Sequence, residues 1–264
     1  MNNFRPSFFS SVPPVVKNLI AINVVLWLST MLLPDILNRW GYNVDLSDIL
    51  GMHYWASSKF NPAQFLTYMF MHAGFTHILF NMFALYMFGG ILEQLWGTRR
   101  FLFYYLLTGV GAGITQQIFW TFEFHGLHTA LNEAILANSG SALLPFEEQL
   151  SHYFRLSNLA LWDAAPLIEL KKAFLDLHLT VGASGSVFGL LLAFAWLFPD
   201  AKLMLMFFPV PIKARYFVPF YGLVELSMGV AQFSWDNVAH FAHLGGMIFG
   251  AILILYWKKK YRTF

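Results

Sequence analysis

Residues 182–189 read GASGSVFG and lie inside a long apolar stretch of the chain. Gly185 and Gly189 are four residues apart, so on a helix they form a bare face that lets another membrane helix approach closely. Gly246 and Gly250, in a second apolar stretch, have the same spacing. We therefore expect two apolar helices that pack backbone against backbone, as in a helical bundle within a bilayer.

The composition is that of a membrane protein. Of 264 residues, 58% are hydrophobic and only 11% are charged, whereas ordinary soluble domains carry about a quarter of charged residues. The chain has no cysteine, which excludes a disulfide framework, a thiolate metal site and a cysteine nucleophile. The formal net charge of +2 is too small to indicate a nucleic-acid partner, so the lipid bilayer is the partner that the composition favours.

Six stretches are apolar and long enough to cross a hydrocarbon core of about 30 Å, which takes roughly 17 to 25 helical residues. The aromatic loop 34–75 is typical of interfacial pieces, and the more polar segment 121–179 is predicted to be an extramembrane insertion with short amphipathic helices. The sequence predicts an all-α membrane protein, a six-transmembrane-helix bundle that forms one domain over 1–264. The spans lie near 16–33, 76–96, 101–120, 180–198, 216–233 and 238–257.

Lysine and arginine set the orientation of the spans, because cytoplasmic loops carry an excess of both. With the N-terminus inside, eleven of the sixteen fall on the inner side, which favours both termini in the cytoplasm. The chain lacks the features of an organellar presequence, so we expect a bacterial inner (plasma) membrane. The inner residues are Arg5, Lys17, Arg99, Arg100, Lys202, Lys213, Arg215, Lys258, Lys259, Lys260 and Arg262.

Polar side chains inside membrane spans are expensive and mark functional sites by default. Ser184 lies 15 residues before Pro199, at the inner end of its span, and His243 lies 15 residues before Lys258. At 1.5 Å per residue both sit ~22 Å above the inner boundary, or ~8 Å beneath the outer surface, so they share one level. The polar residues assigned to the spans are His77, Asn81, Ser184, His240 and His243.

These residue types suit acyl transfer. A serine hydroxyl becomes a nucleophile when a base, usually a neutral histidine, removes its proton, and Ser184 and His243 fit these roles. The oxyanion of the intermediate needs hydrogen-bond donors. His77 and Asn81 share a helix face at i, i+4. The candidate donors to the oxyanion are the side-chain N–H groups of these two residues and the backbone N–H of Ser184. Gly182, beside the nucleophile, lets neighbouring backbone approach closely.

Other interpretations of the same residues are open. A serine in an apolar helix usually bonds to the carbonyl four residues earlier, which would make Ser184 structural. The glycine faces by themselves are ordinary span packing, and His77 with Asn81 could make an interhelical hydrogen bond. GASGS is not the G-x-S-x-G elbow of soluble hydrolases, because position 186 is serine and no strand is predicted before it.

A metal site is disfavoured by the sequence. His240 and His243 share a face, but HExxH is absent and no carboxylate is expected in the same layer. Asp236 lies about two turns, or ~10 Å, above His243, so helix capping or interfacial exposure is expected for it rather than membership of a catalytic triad.

Three motifs together resemble one family, the rhomboid intramembrane serine proteases. They are HILFN at 77–81, GASG at 182–185 and AHLGGMIFG at 242–250, in three different spans and in the order of the family. The resemblance covers the six-helix core from roughly 16 to 257. Each motif alone is weak, and the three together are highly specific.

The resemblance implies roles for single residues. Ser184 would be the nucleophile and His243 the general base, a dyad without a carboxylate, and His77 and Asn81 would line the oxyanion hole. His243 is preferred over His240 because the leucine and spaced glycines of the motif follow it. Phe188 falls where some members have a tyrosine stacked on the catalytic ring. Glu93 and Gly97 match a pattern near the inner end of the second span with a structural role.

The activity implied by the resemblance is hydrolysis of single-pass transmembrane proteins near the outer membrane face, without a cofactor. The alternative from another class is a proteolytically inactive rhomboid-like protein that binds transmembrane clients. Such relatives usually lose part of the dyad, which is intact here. A transporter with a histidine relay is a further alternative, disfavoured because few ionisable groups are assigned to the spans.

Overall fold

The computed structural model describes residues 12–205, 208–232, 236 and 238–261. The chain folds into two compact units. Arg5 and Arg262, which contribute to the predicted orientation, lie outside the described residues. The first unit contains the described parts of 1–51, 63–116 and 180–264, and the second contains 52–62 and 117–179.

Helices make up most of the described chain, and the strands are short. A π-helical turn, Leu85–Gly89, joins α4 to α5, and strands β3 and β4 pair antiparallel with Lys202 opposite Lys213. In chain order the helices are α1 (Pro14–Asn38), α2 (Leu46–Leu50), α3 (Gln64–Thr67), α4 (Phe75–Ala84), α5 (Gly90–Trp96), α6 (Thr98–Ala137), α7 (Glu147–Ser151), α8 (Ala164–Leu177), α9 (Ser184–Leu197), α10 (Ala214–Ala231) and α11 (His240–Tyr261). The strands are β1 (Met52–His53), β2 (Leu179–Thr180), β3 (Lys202–Leu205) and β4 (Phe208–Lys213), and 3₁₀ turns cover Tyr68–Phe70, Gly140–Phe146 and Leu159–Leu161.

Several of these helices suit a bilayer. Within the described chain, three stretches have the length and apolar composition needed to cross a membrane: Pro14–Asn38, Phe75–Trp96 and His240–Lys260. Ser184–Leu197 is apolar but shorter, with 14 residues or ~21 Å. The predicted all-α membrane fold is therefore confirmed, whereas the count of six spans stays a prediction.

The helix that contains the third predicted span does not end at residue 120. Helix α6 continues without a break to Ala137, so the predicted insertion begins as a helical extension. It ends where Asn138 adopts a left-handed conformation with φ 53°, which asparagine tolerates better than most residues. The Asn138 side chain accepts a hydrogen bond of 2.8 Å from the backbone N–H of Ala164, at the start of α8. The more polar sequence after residue 120 therefore does not end the helix.

The fourth predicted span, 180–198, also begins differently. Thr180 lies in β2, and Gly182 has φ +131°, which a residue with a Cβ rarely adopts. The helix therefore starts at Ser184 rather than near Thr180. Its first turn has backbone N–H groups without intrahelical partners, which is where a developing negative charge is favoured.

Helices α9 and α11 meet through glycine. A methyl group at Gly246 would overlap the backbone carbonyl of Gly185, and one at Gly250 would lie 3.5 Å from the Cα of Gly189. The Tyr104 hydroxyl donates a hydrogen bond of 2.8 Å to the carbonyl oxygen of Gly189. Contact at this distance leaves no room for side chains between the two helices. Side chains next to these glycines on α9 and α11 are therefore brought close together.

Glu93 holds the start of α1. Its carboxylate accepts hydrogen bonds from the backbone N–H groups of Val15 at 3.0 Å and Val16 at 2.8 Å. These are first-turn donors that no helical carbonyl can satisfy, and a buried carboxylate there is also favoured by the helix dipole. Glu93 thus ties α1 to α5.

The second unit has its own apolar core of leucines and aromatic rings. The Phe124 ring centroid lies 5.6 Å from that of Tyr54, 5.2 Å from that of Phe174 and 4.2 Å from that of His178. His178 Nδ1 donates a hydrogen bond of 2.8 Å to the carbonyl oxygen of Phe174. Burial lowers the pKa of His178 to about 4, so this ring is neutral at neutral pH.

Candidate active site

The site is built on the first turn of α9 and of α11. His243 Nε2 lies 2.9 Å from the Oγ of Ser184, a hydrogen bond between residues 59 positions apart. Ser184 is partly exposed and His243 is buried. The two come together because the glycine contacts hold α9 and α11 side by side.

The His243 ring is held from one face by Phe188. The two rings are stacked, with centroids 4.1 Å apart and an interplanar angle of 10°. Phe188 lies one helical turn after Ser184, so α9 supplies both the hydroxyl and the surface that orients the imidazole. Tyr221 of α10 packs against Phe188, with centroids 5.1 Å apart.

A carboxylate faces Nδ1, the ring nitrogen of His243 that does not face Ser184. Glu225 of α10 is buried, and its Oε2 lies 2.8 Å from His243 Nδ1. The expectation that no carboxylate shares this layer is therefore wrong, and the pair of Ser184 and His243 has an acidic neighbour. Sequence reasoning left Glu225 out of the polar residues within the spans. The signal was a single carboxylate in the apolar stretch 216–233.

The hydrogen bonds continue beyond Glu225. His240 Nδ1 lies 2.7 Å from the same Oε2, and His240 Nε2 lies 2.8 Å from Asp236 Oδ2. Asp236 Oδ1 accepts from the backbone N–H of Val238 at 2.9 Å, which closes a turn before α11 begins at His240 and is not the predicted helix cap. Burial opposes ionisation of Asp236, but the hydrogen bonds from His240 and Val238 outweigh it and lower its pKa.

His77 lies close to the serine, on α4. A Cβ built on Gly182 would lie 2.8 Å from His77 Nε2 and 3.6 Å from Ser184 Oγ, so the ring and the hydroxyl border the same small space. That space exists because position 182 is glycine. The backbone N–H of Gly182 donates to the carbonyl oxygen of Tyr68 at 2.9 Å, which fixes the loop before α9.

Asn81 lies one turn after His77 and is 5% exposed. Within the described part of the chain its Nδ2 donor has no hydrogen-bond partner. A buried donor left in this way costs about 1–3 kcal/mol, so natural structures keep few of them. Neither His77 nor Asn81 is a hydrogen-bond partner of Ser184 Oγ among the described residues, whose partner is His243.

Three of these residues form a group with the composition of a metal site. Ligand atoms of Glu225, His240 and His243 all lie within 4.8 Å of one another. Their closest approaches, 2.7 and 2.8 Å, are hydrogen-bond lengths. Tetrahedral zinc, with bonds of about 2.0–2.1 Å, would hold such atoms about 3.3 Å apart.

The described chain has apolar helices of membrane-spanning length and a serine hydroxyl bonded to a histidine from another helix, which define an integral membrane protein with a polar serine–histidine pair. The family comparison is more specific. Residues 59–260 match the model of the rhomboid domain, so the chain belongs to the rhomboid family.

Two curated relatives illustrate the range of this similarity. The chain is 31% identical over 154 residues to Rhomboid protein 1, mitochondrial, of Saccharomyces cerevisiae. That alignment covers 57% of this chain and 41% of that protein. It is 28% identical over 137 residues to Putative rhomboid protease YdcA of Bacillus subtilis, covering 50% of this chain and 62% of that protein. The alignments thus span 41% and 62% of the length of these relatives.

Proposed function

We propose that the protein is an intramembrane serine endopeptidase that cleaves transmembrane proteins near the outer membrane face. The observation that carries the proposal is the hydrogen bond of 2.9 Å between Ser184 Oγ and His243 Nε2. Membership of the rhomboid family supports the same conclusion, since one relative is named a putative rhomboid protease.

The first step of the reaction forms a tetrahedral intermediate on the serine. As Ser184 Oγ attacks the carbonyl carbon of the scissile peptide bond, its proton passes to His243 Nε2 and the carbonyl electron pair moves to oxygen. His77, Asn81 and the backbone N–H of Ser184 are proposed to donate to that oxyanion. The unpaired Nδ2 of Asn81 supports this role, because a substrate oxyanion would satisfy a donor that the described protein leaves without a partner.

The later steps release both products. The oxyanion electron pair re-forms the carbonyl as the C–N bond breaks, and the protonated His243 gives its proton to the leaving amine, which leaves an acyl group on Ser184. Water then attacks the ester, His243 accepts its proton and returns it to Ser184 Oγ, and the acid product departs. Ser184 is partly exposed at the start of α9, which gives water a route to the ester.

The proposed substrates are single-pass transmembrane proteins. An intact helix keeps its carbonyls in hydrogen bonds, so cleavage requires local unwinding, and Gly or Pro near the scissile bond favours it. We propose that loop 34–75 and α10 frame substrate entry. We also propose that both termini face the cytoplasm, on the strength of the lysine and arginine bias, and that the membrane is a bacterial inner membrane, although two relatives are named mitochondrial.

The test is turnover in proteoliposomes. Purified protein is incubated with a labelled single-pass substrate that carries Gly and Pro near its outer end, and in parallel with a fluorophosphonate probe. Ser184→Ala is expected to abolish both cleavage and labelling. Ser29→Ala is the matched control, because the Ser29 hydroxyl only donates to the carbonyl of Val25 on the exposed face of α1.

The rival is a client-binding rhomboid protein without proteolytic activity. It predicts that the wild type binds the transmembrane substrate, fails to cleave it, and gives no Ser184-dependent labelling in liposomes or in detergent. That outcome would overturn the proposed activity. Cleavage of an unbroken polyleucine helix as fast as of the Gly–Pro substrate would contradict the requirement for unwinding.

A further inference from the structure

The geometry of Glu225 bears on the protonation state of His243. Glu225 Oε2 lies 2.8 Å from His243 Nδ1, and an ionised carboxylate only accepts hydrogen bonds. His243 Nδ1 therefore carries the proton of the neutral ring. Nε2 is then left with its lone pair facing Ser184 Oγ at 2.9 Å, which is the tautomer that a general base needs.

His240 explains how Glu225 stays ionised in a buried position. Its two ring nitrogens face two carboxylate oxygens, Glu225 Oε2 at 2.7 Å and Asp236 Oδ2 at 2.8 Å. A ring that donates to carboxylates from both nitrogens carries both protons and is an imidazolium. An isolated carboxylate is expensive to bury, and a cation in contact with it offsets that cost.

The order of the five groups is Ser184, His243, Glu225, His240 and Asp236, each hydrogen-bonded to the next. When His243 takes the proton of Ser184, the new positive charge lies directly against the Glu225 carboxylate. The charge of His240 is already present before the reaction and is balanced by Asp236. The Glu225 carboxylate is therefore preorganised to stabilise the positive charge that develops on His243.

We propose that Glu225 is the positioning residue of the site, which holds His243 in the reactive tautomer and stabilises its imidazolium, and that His240 and Asp236 hold Glu225 in the ionised state. This proposal rests on the proposed proteolytic function and adds a carboxylate to the expected pair of Ser184 and His243. Among the described residues, Glu225 bonds to His243 and His240, and Ser184 bonds to His243, so we expect Glu225 to act on the serine through His243.

The kinetic test replaces the carboxylate while keeping its shape. Glu225→Gln is expected to lower kcat about 10²- to 10⁴-fold with KM changed less than threefold, because the amide binds either tautomer and carries no charge. Glu225→Asp is expected to recover part of that loss. The matched control is Glu93→Gln, the same change at a buried carboxylate that caps α1, and its folded fraction should keep a kcat within threefold of the wild type.

A spectroscopic test does not depend on turnover. NMR of isotope-labelled histidine in the wild-type protein should show His243 with its proton on Nδ1, and His240 with protons on both nitrogens. Glu225→Gln should move His243 toward the Nε2-protonated tautomer. The same His243 tautomer in both proteins would overturn the proposal, even if the wild type proved to be an active protease.

The two proposals fail in different ways. A wild type that never cleaves but shows the Nδ1-protonated His243 removes the proposed function and keeps the positioning role of Glu225. An active wild type whose Glu225→Gln variant keeps kcat within threefold removes the positioning role and keeps the protease. Cleavage that is lost on treatment with a chelator and restored by Zn²⁺ would assign Glu225, His240 and His243 to a metal site and would also overturn the positioning role.

Discussion

Two histidines, one in each unit, lie against a phenylalanine ring at nearly the same distance. His243 stacks on Phe188 with centroids 4.1 Å apart, and His178 packs against Phe124 at 4.2 Å. Their hydrogen-bond acceptors differ. His243 Nδ1 faces the carboxylate of Glu225, whereas His178 Nδ1 faces the backbone carbonyl of Phe174, the last turn of its own helix.

The acceptor decides what each ring can do. Aromatic packing orients both rings, but a carboxylate stabilises an imidazolium, whereas a neutral carbonyl inside an aromatic core does so far less. His178 is therefore a packing residue that resists protonation, as its lowered pKa indicates. His243 instead lies between a carboxylate and a serine hydroxyl, which are the surroundings expected of a general base.

The largest expected effect comes from making one substitution in both units. His243→Phe keeps a flat ring against Phe188 but removes the base, so cleavage should fall by at least about 10³-fold. His178→Phe should keep cleavage within threefold of the wild type, because it replaces one ring by another in an aromatic core. Initial rates on the transmembrane substrate check both variants, and equal losses would contradict the division of roles.

A second comparison concerns two buried amides. Gln117, in the second unit, donates from Nε2 to the carbonyl of His53 at 2.6 Å and accepts at Oε1 from the N–H of Trp55 at 2.9 Å. Asn81 Nδ2 has no partner among the described residues. A satisfied amide is typical of a structural role, and an unsatisfied one in a candidate site is typical of ligand binding.

Asn81→Ala is accordingly expected to lower kcat by about 10²- to 10³-fold, the usual effect of losing an oxyanion donor, without lowering the thermal midpoint. Gln117→Ala should do the reverse, since it removes the hydrogen bonds to the carbonyl of His53 and from the N–H of Trp55 and costs roughly 1–3 kcal/mol of stability. Turnover and thermal unfolding are measured on both proteins. A thermal loss in Asn81→Ala with unchanged kcat would make Asn81 structural.

The next expected effect is a loss of stability of the second unit at acid pH. The folded pKa of His178, about 4, lies below the unfolded value of about 6.5, so its contribution is complete above pH 6.5 and is lost as the pH falls toward 4. At pH 4.5 the loss is about 2–3 kcal/mol. Hydrogen exchange of the second unit at pH 7 and pH 4.5 should show this loss in the wild type. His178→Phe should reduce the difference by that amount, and an unchanged pH difference would contradict a neutral His178.

Much of the site follows from counting residues along the spans. Ser184 and His243 are each 15 residues from an inner marker, and the structure has them in contact. Glu225 escapes this argument because it lies 10 residues from Arg215, or ~15 Å above the inner boundary, about 7 Å below the serine. The length of the glutamate side chain and the tilt of the helix account for that difference in depth. Residue spacing predicts neither of them.

The helix boundaries show a different limit of sequence reasoning. Hydropathy marks where lipid contact ends, but the backbone of α6 continues to Ala137 because its polar part is rich in alanine, leucine and glutamate, which favour helix. The start of α9 depends on the positive φ of Gly182, a conformation that glycine permits and that periodicity does not indicate. Composition predicts the class of fold, whereas these ends depend on local backbone geometry.

The last comparison concerns how helices meet in each unit. A Cβ at Gly246 would collide with the Gly185 backbone carbonyl, whereas one at Gly126, in the second unit, would lie 3.4 Å from Phe146 in ordinary contact. Gly246→Ala should therefore cost about 1–3 kcal/mol by overpacking, and Gly126→Ala should gain about 0.5–1 kcal/mol from helix propensity.

Turnover separates the two glycines further. Because α9 and α11 carry Ser184 and His243, a shift that accommodates the new methyl at Gly246 lengthens the 2.9 Å contact between Oγ and Nε2, and a displacement near 1 Å costs about 10²-fold in rate. Gly126→Ala should leave the rate unchanged. Thermal unfolding and initial rates on both variants test this, and a Gly246→Ala protein as stable and as fast as the wild type would show that the glycine contact does not position the site.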